Sequence, residues 1–109
     1  MWGICLDVDV LNGLLFQTVV EYNIVDNNAE LISPFDDVVI SMSKIKEIPN
    51  IPCFSYGEIV SPINHLDIKG QIHIIKWHFD LKECYYKIQV NGNLKSRRYF
   101  AEDLVEIKQ

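Results

Sequence analysis

The chain has 109 residues, 49% of them hydrophobic and 23% charged, with a formal net charge of −5. That length suits one domain able to bury roughly two-thirds of the surface its unfolded form exposes, so neither a metal nor a disulfide is needed for stability, and the composition excludes a disordered chain. No apolar run reaches the roughly 18–20 residues of a membrane helix, and the start, Met1-Trp2-Gly3-Ile4-Cys5, lacks the basic region of a signal peptide, so a cytoplasmic protein is expected.

The charge is unevenly divided. Residues 1–50 carry eight acids (Asp7, Asp9, Glu21, Asp26, Glu30, Asp36, Asp37 and Glu47) against Lys44 and Lys46, a net of −6, whereas residues 51–109 carry seven acids and eight bases, a net of +1. Such asymmetry can report a charged partner or a solvated acidic face. Cys5, Cys53 and Cys84 are widely spaced and odd in number. With no C-x-x-C pairing they read as small buried hydrophobes rather than a disulfide framework or a metal site.

In chain order, residues 4–11 alternate, with Leu6, Val8 and Val10 on one side and Asp7 and Asp9 on the other, which predicts a strand. Asn12-Gly13 follows and is the sequence mark of a two-residue hairpin turn, because both central positions of that turn need positive φ. Residues 14–25 are then the return strand, although Leu11, Leu14, Leu15, Thr18, Val19 and Tyr22 also fit a helical stripe. Asp26-Asn27-Asn28 reads as a turn. Over residues 32–48, Ser33-Pro34 followed by two acids resembles a helix start, and Phe35, Val38, Val39, Met42 and Ile45 recur at helical spacing. The β-branched Val38-Val39-Ile40 argues the other way. Pro49-Asn50-Ile51-Pro52 is a linker.

Beyond it, residues 54–60 predict a strand and residues 61–69 a loop. Residues 71–79 predict a strand with Ile75, Trp77 and Phe79 on one face, and Lys76 and His78 on the other. Residues 80–83 predict a turn. Cys84, Tyr86, Ile88 and Val90 share one side of the next strand. Asn91-Gly92 predicts a second hairpin turn, residues 94–100 a return strand, and residues 101–107 a short turn with a final strand. A cysteine seven residues before an Asn-Gly occurs at both Cys5 and Cys84. Little else aligns, so no internal duplication is expected.

The succession Tyr56-Gly57-Glu58-Ile59-Val60, Gly70-Gln71-Ile72, Tyr86-Lys87-Ile88, Tyr99-Phe100 and Glu102-Asp103-Leu104-Val105 resembles that of SH3-like barrel modules over residues 54–107. Glu58 stands where those modules more often carry Asp. The resemblance implies a shape shared by ribosomal, chromatin and protein-binding modules, and no particular task. The expected fold is therefore mainly β and a single domain over 1–109: an SH3-like small barrel at 53–107, extended by an acidic N-terminal β-hairpin at 1–50 with room for one short helix.

No phosphate loop, H-E-x-x-H or G-x-S-x-G is present, so a non-enzymatic protein without cofactor or metal is expected. His73 and His78, five apart on one strand, would point to opposite faces, and His65 lies in a loop. Two binding readings remain. In the first, Asp7, Asp9, Glu21, Asp26, Glu30, Asp36 and Asp37 form an anionic surface for a basic protein, with Trp2 and Tyr22 as aromatic anchors. By size, acidity and lack of catalytic motifs the chain is similar to bacterial immunity proteins of toxin systems, including contact-dependent growth inhibition. That resemblance of type implies occlusion of a basic nuclease. In the second, Lys87, Lys95, Arg97 and Arg98, with Tyr85 and Tyr99, form a ribbon for RNA or the ribosome. A net charge of −5 opposes the phosphate attraction this needs, which makes it the alternative. No membrane partner is expected, and a homodimer stays open.

Overall fold

The β-branched and aromatic runs fold as eleven strands, with no α-helix among residues 1–107, which this computed structural model describes. The chain divides at Ile51/Pro52, inside the proline-bounded linker, into two compact units. The first contains β1 (Trp2–Cys5), β2 (Val19–Val25), β3 (Asn28–Leu31), β4 (Val39–Ser41) and β5 (Ile45–Glu47), paired antiparallel in the order β4-β3-β2-β1-β5. A 3₁₀ turn, Met42–Lys44, joins β4 to β5, and the Ser41 side chain caps it by accepting from the Ser43 amide at 3.3 Å. The second unit contains β6 (Ile59–Pro62), β7 (Gly70–His78), β8 (Glu83–Val90), β9 (Asn93–Leu94), β10 (Tyr99–Phe100) and β11 (Leu104–Glu106). Its order is β10-β8-β7-β6-β11, with β9 paired to β8 and a 3₁₀ turn, Ala101–Asp103, before the last strand. Both sheets are antiparallel and mainly β architecture is general to the chain; neither sheet closes.

The two units repeat one plan. If β9 is set aside, each sheet has the order fourth, third, second, first, fifth, with a 3₁₀ turn before the fifth strand. The registers agree, apart from a one-residue bulge at His73 in the second unit. Gly3 pairs with Val20 and Glu47, as Val60 pairs with Gly70 and Glu106. Tyr22 faces Leu31, as Ile72 faces Ile88, and Ala29 faces Ile40, as Tyr86 faces Tyr99. Hydrogen bonds outside the ladders match too. The Leu6 amide donates to the Lys44 carbonyl at 2.8 Å where Ile63 donates to Asp103 at 2.9 Å, and Ile48 donates to Trp2 where Ile107 donates to Ile59. The internal repeat that the two Cys and Asn-Gly pairs failed to reveal is therefore present, in a different alignment: β1 corresponds to β6, and Cys5 to Pro62 rather than to Cys84.

The cores follow this plan with exchanged volumes. In the first unit Cys5, Leu15, Val20, Tyr22, Ala29, Leu31 and Ile40 form a buried cluster, with Val10, Phe35, Val38, Met42 and Ile45 packed against it. In the second, Val60, Ile72, Ile75, Tyr86, Ile88, Tyr99 and Leu104 are buried, and Phe54 meets Tyr86 edge-on at 5.3 Å between centroids. Where the first unit places Tyr22 beside Ala29, the second places Ile72 and Tyr86. Each unit also has one glycine at its first-to-second strand pair, on opposite strands. A Cβ at Gly3 would lie 2.7 Å from Ile45 Cγ2, and one at Gly70 would lie 2.8 Å from Ile88 Cδ1. Glycine is required at both because a neighbour already fills the methyl position.

Several local expectations are corrected. β1 ends at Cys5, so Asp7 and Asp9 are loop residues and not one face of a strand. Asn12 and Gly13 do take positive φ (57° and 82°), but within a 3₁₀ turn, Val10–Gly13, in the middle of the β1–β2 connection. The hairpin exists with a long loop instead of a two-residue one. The helical spacing over 32–48 gives no α-helix. Val39 and Ile40 enter β4, and Phe35, Val38, Met42 and Ile45 reach the core from loop, turn and strand positions. Residues 54–58 are bends and turns, so the strand begins at Ile59. The return from Asn91-Gly92 is broken at residues 95–98. Asn91-Gly92 itself forms the expected tight turn, with φ of 51° and 80° between paired Val90 and Asn93. Cys5 is buried and Cys84 half-buried as expected for packing residues, but Cys53 is exposed at the edge of the linker.

Candidate functional site

The seven carboxylates expected to form the anionic surface all fall in the first unit, where eight acids in all meet two lysines. Glu21 lies directly opposite Trp2 on β1, and Glu30 lies opposite Asn23, two residues along β2 from Glu21. Trp2, Glu21 and Glu30 therefore share one face of the sheet. The remaining five carboxylates are on connections. Asp7 and Asp9 lie in the β1–β2 connection, and Asp36 and Asp37 in the β3–β4 connection. Antiparallel order puts these two connections at one end of the sheet and Asp26, in the β2–β3 turn, at the other. The first two connections also cover a common core, since Val10 and Leu15 of one and Phe35 and Val38 of the other pack in the same cluster.

Three of these aspartates also have local work. Asp7 Oδ1 accepts the amides of Asp9 at 2.8 Å and Val10 at 3.2 Å, an Asx-type turn that starts the loop. Asp26 and Asp37 occupy left-handed positions, φ 53° and 69°, which Asp tolerates better than most residues. Of the two anchors expected, Trp2 is half-buried on the face of Glu21. Tyr22 is fully buried on the opposite face, and its hydroxyl finds no hydrogen-bond partner among the described residues. Burial, with Glu47 adding to it, raises its pKa. Tyr22 is thus a core residue, corrected from the surface role expected of it.

The basic ribbon divides between two sides of its sheet. Tyr99 pairs with buried Tyr86, and Phe100 pairs with Tyr85, so Tyr99 and Tyr85 point to opposite faces. The Arg97 guanidinium stacks over Tyr99 at 5.1 Å, and that of Arg98 over Tyr85 at 4.9 Å. Lys87, two residues from Tyr85, lies on the Arg98 side. Lys95 joins Arg97, Tyr99, Ile68 and Val90 around an open recess of about 250 Å³. The two stacked pairs therefore lie on opposite faces, and the four cations do not form the one ribbon expected of them.

The histidines are apart: His65 is exposed in the β6–β7 connection, His73 is exposed at the bulge between Ile72 and Ile74, and His78 Nδ1 accepts the Leu81 amide at 3.1 Å. Among the described residues no group of three or more His, Cys, Asp or Glu is placed to hold a metal ion. No helix among them is long and apolar enough to cross a membrane.

Sequence reasoning missed one group. Val8, Leu11 and Leu14, read as strand or helix interior, are 60%, 47% and 72% exposed, and Phe16 is 36% exposed, all within the β1–β2 connection. Apolar residues on both sides of Asn12-Gly13 suit the interior of two strands equally well, so no signal in the sequence sets them apart.

The fold thus defines a mainly β protein of two topologically equivalent units, the first acidic and the second close to neutral. The chain belongs to the family of unknown function DUF6960, whose model matches residues 20–105. No curated protein and no solved structure matches it.

Proposed function

We infer that the chain is a non-enzymatic binding protein whose first unit engages a basic protein. Its concrete form is an immunity protein that neutralises a basic nuclease toxin in the cytoplasm by occluding the cleft where that nuclease holds phosphates. The observation that carries this is the coincidence of charge with architecture: the break between −6 and +1 falls at the linker that separates the two units. A unit of that charge steers a cationic partner into encounter and disfavours anionic ones, with effects on association rate larger than those on affinity. Trp2, beside Glu21, supplies one aromatic contact on the sheet face.

The test is association with the product of a neighbouring toxin gene, measured at low and high salt for the chain and for its Asp7→Lys, Asp9→Lys, Asp36→Lys, Asp37→Lys variant. The reading predicts slower association and a flatter salt dependence for the variant, and loss of protection on co-expression. Unchanged kinetics with protection intact contradict it. The RNA reading has the two stacked Arg–Tyr pairs in its favour, but these lie on opposite faces and the chain carries −5. Filter binding to generic RNA at two salt concentrations decides it, since that reading needs strong, salt-sensitive retention.

A further inference from the structure

We propose that the β1–β2 connection, residues 6–18, is the hydrophobic centre of the surface that docks a basic protein, with Val8, Leu11 and Leu14 as anchors and Phe16 at the edge. This rests on the acidic-unit reading and adds what that reading lacks, since exposed carboxylates direct encounter but desolvated apolar side chains hold a complex together.

The repeat makes the connection stand out. Between Cys5 and Val19 lie thirteen residues, whereas the equivalent connection, between Pro62 and Gly70, has seven. The framework closes with the shorter loop, so the added length is not needed for the fold. The longer connection exposes four large apolar side chains, where the shorter one exposes two, Ile63 and Leu66. Isolated exposed hydrophobes are ordinary, but Val8, Leu11, Leu14 and Phe16 within nine positions make a cluster of the kind that marks a protein contact.

The cluster is held in place from beneath. Val10 and Leu15 pack in the core. The Gln17 amide donates to the Cys5 carbonyl at 2.7 Å, Cys5 to Thr18 at 2.9 Å, and Asn12, Leu14, Phe16 and Thr18 each donate to the residue three before. A loop fixed in this way presents its side chains with little ordering entropy left to lose on binding. Charge selects the occupant. Asp7 and Asp9 lie in the loop itself, and Asp36 and Asp37 leave the same end of a sheet unit with net −6, so the apolar centre has an anionic rim. A basic protein matches both parts, while an anionic membrane or a second copy of this unit matches only the apolar part.

The full chain is titrated with two fluorescent peptides, an oligolysine and a peptide with the same number of lysines interspersed with leucines, and its self-association is followed by sedimentation. The leucine-containing peptide should bind at least about tenfold tighter. That advantage should vanish in Val8→Ser/Leu14→Ser, whose exposed positions leave folding intact, while oligolysine binding stays as in the parent chain. Equal binding of the two peptides to the parent chain overturns the anchoring loop while leaving the acidic reading standing. If neither peptide binds in a salt-dependent way, the acidic reading falls as well. A dimer that Leu14→Ser dissociates makes a second copy the occupant and overturns the proposal.

Discussion

Leu11 holds φ at 49° and ψ at 39°, a left-handed conformation in which its Cβ crowds the following carbonyl at a cost of roughly 1–2 kcal/mol. Asn accepts that conformation more readily, so Leu11→Asn should raise the melting temperature by the equivalent of about 1 kcal/mol while weakening any apolar contact the loop makes. Stability and binding would move in opposite directions, a combination expected of a residue kept for recognition. Gly3 behaves in the reverse way. Gly3→Ala places a methyl against Ile45 Cγ2, the Lys46 carbonyl and the Tyr22 ring, and should cost about 1–3 kcal/mol in chemical denaturation. Cys84 adds a pH-dependent effect. Burial, with the nearby Cys53 and Glu83, pushes its thiol from 9.0 up to about 11. The folded state thus favours the protonated thiol. Its contribution is complete below pH 9 and is lost as pH rises from 9 to 11, so Cys84→Ala should flatten the alkaline arm of the stability profile. At pH 8 a thiol reagent should label exposed Cys53 well before Cys84.

At the scale of elements, the part of the fold readable in the sequence is the part fixed by neighbours in the chain. Asn91-Gly92 was legible because Val90 and Asn93 on either side pair directly, and β8 was legible because Tyr86 and Ile88 alternate with Tyr85 and Lys87. Asn12-Gly13 was read correctly as left-handed backbone but wrongly as a tight turn, since the dipeptide specifies φ and not how far away the paired strands begin. The helical spacing of Phe35, Val38, Met42 and Ile45 misled for a similar reason: four residues reach one core from four different local conformations. The repeat was hidden because the units conserve volume at a site rather than residue type, with Gly3 and Val20 in one, Val60 and Gly70 in the other. Cross-strand packing also explains why Tyr86→Phe should cost only about 1 kcal/mol. It keeps the ring against Phe54 and removes the hydroxyl that accepts the Cys53 amide at 3.1 Å.

For the whole molecule, what the sequence disclosed about the candidate site was its charge. The acidic and near-neutral halves are visible in a residue count, and the linker marks where they part. Which carboxylates share an end of the sheet was not visible, because that depends on antiparallel order, and the exposed apolar loop between them was mistaken for interior. The account therefore joins a charge partition to an apolar centre in one unit. Its most direct test is an NMR titration of the full chain with the lysine–leucine peptide, following every backbone amide. The account predicts that shifts concentrate in residues 6–18 and 32–38 and weaken with added salt. Shifts centred on residues 62–69 and 93–99, around Arg97 and Tyr99, would contradict it.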